Sequence, residues 1–452
     1  MDLGGLVAAL PEGTCVVDPE LVARYAHDVT GRFSGTPAAV VRPTTTGEVA
    51  AVLKVCARDG IGVVPQGGNT GLVGGAIASS TEIVLSLERL TRVDEVDRAS
   101  GTVVAEAGAT LEAVRSAAQA QRLEFPIDFA ARGSATIGGM VATDAGGALV
   151  MRYGTMRDLV VGLQVVLADG TIVDHLHRPP KDSSGFDVTR LIPGSEGTLA
   201  VVTAARLKLV PLLEHRTVAV IAVASLEGAV TVAAHLCREV TSVEAVDFFL
   251  EAGLQLVRRH AQLPALFPNE HAAYLVVSCA AHQDPSEELG AALARYGEAR
   301  DVAVGQSAQQ HERLWSYREL HNEAINAAGV PHKLDVAVVP ARVPELIARV
   351  DRWLSDQRPH THAIYYGHLA DGNVHVNILE AAPDDDAIDE AVLRIVAGMD
   401  GSISAEHGIG RAKNRWLHLT RSPGEIAAMA AVKRALDPEG VLNPNKLLPP
   451  PA

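Results

Sequence analysis

Residues 364–379, Ile-Tyr-Tyr-Gly-His-Leu-Ala-Asp-Gly-Asn-Val-His-Val-Asn-Ile-Leu, force the chain to reverse on itself. Asp371-Gly372-Asn373 is turn chemistry, because glycine and asparagine tolerate positive φ, so the apolar flanks Ile364 to His368 and Val374 to Leu379 should pair as adjacent antiparallel strands. Strand alternation puts His375 and Asn377 on one face, with His368 at the mouth of the turn. Ser404-Ala405-Glu406-His407-Gly408 and Lys333-Leu334-Asp335 add a carboxylate, a third imidazole and a cation. Two imidazoles and one carboxylate leave coordination positions open on an ion such as zinc or manganese, as a catalytic site requires, and a base beside that ion suits a small hydroxy acid.

Upstream, strands and helices alternate. Ala38 to Val41 reads as a strand, and the helix from about residue 47 opens on the Thr45/Glu48 capping-box spacing, repeats Val49, Val52, Leu53 and Cys56 along one face, and stops at Asp59-Gly60. Ile61 to Val64 follows as a buried strand running into Gly67-Gly68-Asn69-Thr70-Gly71, and Thr102 to Ala107 is a later strand. The glycine loop has neither the Lys-Ser/Thr of a Walker loop nor the GxGxxG order of a Rossmann turn. Its successive glycines instead let backbone N–H groups converge on a pyrophosphate. Thr136 to Gly147 and Gly194 to Leu199 are two further glycine clusters. Pro211 closes this part. From about residue 214, long strands such as Val218 to Val223 alternate with alanine-rich helices, the pattern of a helix-covered antiparallel sheet. The tail from 411 holds a helix opened by Ser422-Pro423-Gly424-Glu425 and stopped by Asp437-Pro438-Glu439-Gly440.

A formal net charge of -15 argues against a nucleic-acid or anionic-membrane surface, so an anionic substrate must meet a locally basic pocket. Cys15, Cys56, Cys237 and Cys279 are isolated, without zinc or iron–sulfur spacing, which fits reducing surroundings. No run approaches the ~18 apolar residues of a membrane span, and Met1-Asp2-Leu3-Gly4-Gly5 lacks the basic start of a signal peptide, so a cytoplasmic location is expected. Any redox centre here would pass electrons to a separate protein, a quinone or oxygen.

Pro65-Gln66-Gly67-Gly68-Asn69-Thr70-Gly71-Leu72, Thr136-Ile137-Gly138-Gly139, Gly194-Ser195-Glu196-Gly197-Thr198-Leu199 and Leu442-Asn443-Pro444, in that order, resemble signatures of the vanillyl-alcohol-oxidase-like flavoproteins, specifically the branch with D-2-hydroxyglutarate, D-lactate and glycolate dehydrogenases. The resemblance covers nearly the whole chain. It implies an α+β fold: a two-part FAD-binding domain of the vanillyl-alcohol-oxidase (PCMH) type over residues 1–213, an antiparallel-sheet substrate (cap) domain with helices over 214–410, and a C-terminal helical segment over 411–452 returning to the FAD domain. The FAD pyrophosphate would lie on the backbone of 66–71, and 136–147 would line the flavin. The cofactor-binding set so implied is Pro65, Gln66, Gly67, Gly68, Asn69, Thr70, Gly71, Leu72, Pro126, Thr136, Ile137, Gly138, Gly139, Ala142, Thr143, Gly146, Tyr153, Gly154, Glu196, Gly197, Val201 and Asn443. Some relatives in the wider fold carry a flavin-linked histidine where this chain has Asn69, so non-covalent FAD is expected. The chain departs from the usual pattern at Asp144, where asparagine is common, at Pro193, and at Asn445, where glycine is usual.

The same resemblance implies that His368, His375 and Glu406 ligate a divalent metal, zinc or manganese, and that His407 is the base on the substrate hydroxyl. Arg318, within Trp315-Ser316-Tyr317-Arg318, would bind the carboxylate, with Lys333 as a second cation and Asn377 as a further substrate contact. Asn322, one helical turn after Arg318, stands where a threonine is common. The implied reaction is FAD-dependent oxidation of a D-2-hydroxy acid to the 2-oxo acid. Asn377, the run Gly401 to Gly408 and the run Lys181 to Asp187 favour D-2-hydroxyglutarate over D-lactate or glycolate. A non-catalytic FAD-binding subunit would be expected to lose the metal and base residues, and an ether-forming flavoprotein of the same fold accounts less simply for the paired cations. The expected partners are a small anionic 2-hydroxy acid and a separate electron acceptor, such as an electron-transfer flavoprotein, a quinone or a dye. Nucleic acid and a transmembrane segment are not expected, and a homodimer is allowed.

Overall fold

The computed structural model describes residues 3–449 apart from 178 and 180, so the last of the proline-rich end lies outside the described residues. The chain forms two compact units, one of Met1–Gly147, Tyr153–Leu212 and Glu406–Ala452, the other of Ala148–Arg152 and Leu213–Ala405. Among the described residues no helix is long and apolar enough to cross a membrane.

The first unit carries β1 (Cys15–Val16), β2 (Ala39–Val41), β3 (Gly62–Gln66), β4 (Glu82–Ser86), β5 (Thr102–Glu106), β6 (Leu123–Glu124), β7 (Val160–Val166), β8 (Ile172–Asp174), β9 (Val201–Lys208) and β10 (Val210–Pro211). They form one sheet in the order β1-β2-β4-β3, with β2 and β3 parallel to β4, an antiparallel sheet β5-β9-β7-β8, and the pair β10-β6. The helix Thr46–Asp59 makes the crossover from β2 to β3. Thr45 Oγ1 accepts the Glu48 N–H, while the Glu48 carboxylate turns back to the Thr44 N–H, one residue earlier than the capping box predicts. Gly60 at φ 66° ends the helix. Val49, Val52, Leu53 and Cys56 are fully buried against Val63, Ile83 and Leu85, so the apolar face read from the sequence is the packed one.

The C-terminal segment belongs to this unit. Its helix Pro423–Leu436 opens on the predicted capping box of Ser422 and Glu425. The chain then runs alongside β3, with Val63 N–H donating to Val441 O and Asn443 N–H to Val63 O. Lys433 fixes the turn between, donating to Thr198 O and Leu442 O and pairing with Asp437. The tail therefore braces the strand that feeds the glycine loop. Departures from the family pattern have local partners too. Arg157 Nη2 reaches both Asp144, at 3.0 Å, and Pro193 O, at 2.9 Å. Asn445 sits at φ 60°, the left-handed region that asparagine tolerates and that explains a glycine preference there.

The second unit is one antiparallel sheet of β11 (His215–Val223), β12 (Val243–Leu250), β13 (Ala273–Ala281), β14 (Ala299–Val304), β15 (His332–Ala337), β16 (His362–His368) and β17 (Asn373–Leu379), in the order β14-β11-β13-β12-β16-β17-β15. The predicted hairpin is β16-β17, with His362 opposite Leu379 and His368 opposite Asn373. Helices cover both faces, as side-chain parity shows. The Tyr365 hydroxyl donates to Asp351 in the helix Val343–Gln357, whereas the neighbouring Tyr366 packs on His321 in the helix His321–Ala328. On the Tyr366 side lies an apolar core of Phe249, Leu254, Tyr274, Tyr317, Ile325 and Ile364. The helix carrying Arg318 ends at Glu319 and a new one starts at His321. Arg318 and Asn322 are thus on successive helices rather than one turn apart on a single helix, because Leu320 breaks the run.

Candidate active site

Directly paired residues of neighbouring strands share a face. Register pairs Lys333 and Asp335 of β15 with Asn377 and His375 of β17, and Asp247 of β12 with His368 of β16. His375 in turn opposes Tyr366, two residues before His368. Lys333, Asp335, His375, Asn377, His368 and Asp247 therefore project from one face of four consecutive strands.

On that face each imidazole is backed by a carboxylate. His368 Nδ1 lies 2.7 Å from Asp247 Oδ1, and His375 Nδ1 lies 3.4 Å from Asp335 Oδ1. Asn373 Nδ2 donates to the same Asp335 oxygen and holds it in place. A neutral histidine that donates Nδ1–H to a carboxylate carries its lone pair on Nε2. The two rings stand nearly perpendicular with centroids 5.7 Å apart, and their ligand atoms lie within 4.8 Å of one another. Burial holds the His375 pKa down to about 4, against the pull of Asp335, so the ring is neutral at physiological pH.

Asp247 has a second partner. Its Oδ2 lies 2.9 Å from Arg318 Nε, and the guanidinium stacks over the Tyr366 ring at 4.5 Å. Burial pushes the Asp247 pKa up, but His368 and Arg318 outweigh it and keep the group below the usual carboxylate range. Asn377 is buried, its amide 3.4 Å from the carbonyls of Ile364 and His375. Lys333 Nζ donates to Asn322 Oδ1 at 2.6 Å, and burial lowers its pKa to about 8.

Sequence reasoning missed Asp247. The only local signal is an acidic residue in the otherwise apolar run Val246-Asp247-Phe248-Phe249-Leu250, and its partners are 71 and 121 residues away. Ser402 and Ala337 exchange backbone hydrogen bonds, and Ala405 N–H donates to Asp335 O, so the chain leaves the second unit along β15 and Glu406 is the next residue.

In the first unit, β3 ends at Gln66, whose amide donates to Tyr25 O and Ala76 O and closes the glycine loop at its base. A Cβ at Gly67 would stand 2.1 Å from Thr136 Oγ1, and one at Gly68 would stand 1.7 Å from Ser134 O, so the loop backbone lies directly on the 134–139 segment. Asn69 takes φ 52° and its amide donates to His27 O. The N–H groups of residues 68–71 have no hydrogen-bond partner among the described residues. Pro65 and Leu72 flank this loop, and Pro126 follows the buried Phe125. Ile137, Gly138, Gly139, Ala142 and Thr143 form a short helix after Thr136, followed by Gly146, Tyr153 and Gly154.

Glu196 is buried, and its carboxylate accepts the N–H groups of Ile409 and Gly410, each at 2.7 Å. Burial raises its pKa against those two bonds. Asn443 Nδ2 donates to Gly75 O and Glu196 O. Both residues, expected at the cofactor, hold this unit's own backbone together, with Gly197 and Val201 following on the same stretch. Glu406 Oε1 accepts the Gly147 N–H at 3.1 Å.

Comparison with known proteins decides the family. The description "FAD linked oxidases, C-terminal domain" matches residues 212–447, and "FAD binding domain" matches 37–175. The chain belongs to the FAD-linked oxidase family. It is 39% identical over 459 residues to a D-2-hydroxyglutarate dehydrogenase of Xanthomonas citri pv. viticola, covering 98% of this chain and 96% of the relative. It is 35% identical to the mitochondrial D-2-hydroxyglutarate dehydrogenase of Bos taurus, covering 99% and 83%. Among solved structures, p-cresol methylhydroxylase with substrate bound superposes with TM-score 0.79 at 16% identity, covering 99% of this chain and 96% of that one. Alkyldihydroxyacetonephosphate synthase superposes with TM-score 0.76 at 14% identity, covering 98% and 84%. These two show the shared fold.

As an FAD-linked oxidase the chain must accept FAD, and its first unit fits. The unpaired N–H groups of 68–71 suit a pyrophosphate, a Cβ at Gly71 would meet no atom within 4 Å, and the buried Thr136 Oγ1 and Ser195 Oγ have no partner among the described residues. The paired imidazoles of the second unit, each oriented by a carboxylate, equally suit a divalent ion.

Proposed function

We propose that this flavoenzyme oxidises a D-2-hydroxy acid, D-2-hydroxyglutarate foremost, to the 2-oxo acid, using non-covalent FAD and a divalent metal. Similarity along 98% of the chain to a D-2-hydroxyglutarate dehydrogenase supports the substrate. The observation that carries the reading is Lys333, a half-buried ammonium with no carboxylate partner among the described residues, on the same strand face as His375 and His368. A cation partly removed from water without a counter-ion costs free energy that an anionic ligand recovers.

Bound FAD supplies the two-electron sink for the C2 hydrogen, and a bound zinc or manganese ion supplies the Lewis acid that lowers the hydroxyl pKa. His368, His375 and Glu406 would hold the ion. His407, one residue beyond Glu406, would take the hydroxyl proton as a neutral imidazole. Arg318 offers a carboxylate the planar fork that lysine lacks, and Lys333 a point charge. Two cations suit a dicarboxylate better than D-lactate or glycolate, which carry one carboxylate each. Asn377 would contact the acid beside His375. Electrons would leave to a separate acceptor, a protein or a quinone.

Anaerobic mixing of the yellow protein with D-2-hydroxyglutarate, D-lactate, D-malate and glycolate, before and after chelation, tests the proposal. D-2-hydroxyglutarate should bleach the flavin fastest, and chelation should stop it. No bleaching by any of the four acids would sink the reading.

A further inference from the structure

We infer that Asp247 is a positioning residue that links the metal ligand His368 to the substrate-binding Arg318, so that metal and acid affinities depend on one shared carboxylate. The inference rests on the roles proposed above for His368 and Arg318. Its geometry lies wholly within the second unit. One carboxylate oxygen is 2.7 Å from His368 Nδ1, and the other is 2.9 Å from Arg318 Nε. The residue is 2% exposed, and the two groups it pairs with are themselves buried. Strand register fixes the first contact, since Asp247 and His368 are directly opposed on β12 and β16. Stacking of the guanidinium on Tyr366 fixes the second.

Each contact has a consequence. Accepting from Nδ1 selects the histidine tautomer whose Nε2 carries the lone pair and raises its basicity toward a metal. The close ion pair at Nε holds the Arg318 guanidinium in place while leaving its Nη atoms to donate toward a carboxylate. Asp335 provides an internal contrast. It backs His375 and accepts from the Asn373 amide, whereas the Arg318 guanidinium pairs with Asp247. Loss of Asp335 should therefore weaken the metal alone, and loss of Asp247 should weaken both ligands.

The test uses the FAD-loaded protein. Zinc and manganese affinities are measured by competition with a chromophoric chelator, and 2-oxoglutarate affinity by the change in flavin absorbance. Asp247→Asn should bind metal about 10- to 100-fold more weakly and also bind 2-oxoglutarate more weakly. Asp335→Asn should lose metal affinity only, when 2-oxoglutarate is titrated at saturating metal. Arg318→Met offers a second route that keeps Asp247. Without its cationic partner the carboxylate acts on His368 alone, and metal binding should tighten. Wild-type metal affinity in Asp247→Asn, or unchanged or weaker metal binding in Arg318→Met, would overturn the shared-carboxylate link while leaving the metal site in place. A wild-type protein that binds neither ion would instead bring down the metal reading itself, and the link with it.

Discussion

Lys333 Nζ donates to Asn322 Oδ1 at 2.6 Å, tying the edge strand β15 to the helix His321–Ala328. The asparagine thus holds the ammonium through an amide oxygen, in a position where the family commonly has a hydroxyl. Burial lowers the Lys333 pKa to about 8, so the cation is present below that pH and lost as pH rises through it. The KM for a 2-hydroxy acid should therefore be flat below pH 8 and rise above it. Lys333→Arg should move the rise out of range, and Lys333→Met should raise KM by about 10- to 100-fold at pH 7, the worth of one charge-assisted hydrogen bond. A wild-type KM unchanged up to pH 9.5 would exclude Lys333 as a substrate cation.

His407→Ala should keep its yellow colour and its metal, because the flavin contacts and the three proposed ligands remain. Anaerobic reduction by D-2-hydroxyglutarate in a stopped-flow cell should slow by about 10²- to 10⁴-fold, the usual contribution of a general base. Reduction at the wild-type rate would remove the residue from the chemistry.

Gly71→Ala separates folding from cofactor binding. The added methyl would meet no atom within 4 Å, and Gly71 is not in the left-handed region, so the variant should fold with an unchanged circular dichroism spectrum. If the pyrophosphate lies over this loop, the purified variant should hold FAD more weakly, read from the 450 nm to 280 nm absorbance ratio. Full flavin occupancy would place the phosphates elsewhere.

Glu196→Ala removes both acceptors from the N–H groups of Ile409 and Gly410 and leaves a buried gap. The loss should be about 2–6 kcal/mol, since buried donors left unsatisfied cost about 1–3 kcal/mol each. A urea titration followed by flavin release should show the midpoint fall, and Glu196→Gln, which keeps one acceptor, should fall between. A midpoint within error of wild type would show that water replaces the carboxylate.

What could be read from the sequence was local. The Asp371-Gly372-Asn373 turn, the Ser422/Glu425 capping box and the Gly60 stop each depend on residues within a few positions, where φ preference and hydrogen-bond reach decide the outcome. The paired imidazoles followed from strand alternation once the turn was known. Asp247 could not be found in this way, because its value comes from register with a strand 121 residues later. The break at Leu320 was also hidden. Both flanking segments are helical by composition, and nothing near them punctuates the chain as Gly60 does.

The backbone bonds that lay residues 402–405 along β15 set a fixed length of chain between that strand and Glu406. Removing one residue from this short tether would break the backbone bonds that hold Ser402 and Ala405 on β15. The helix Asp386–Ala397 before it is packed through Ile388, Val392, Leu393 and Val396, so insertions belong in the exposed loop 380–384 rather than in either.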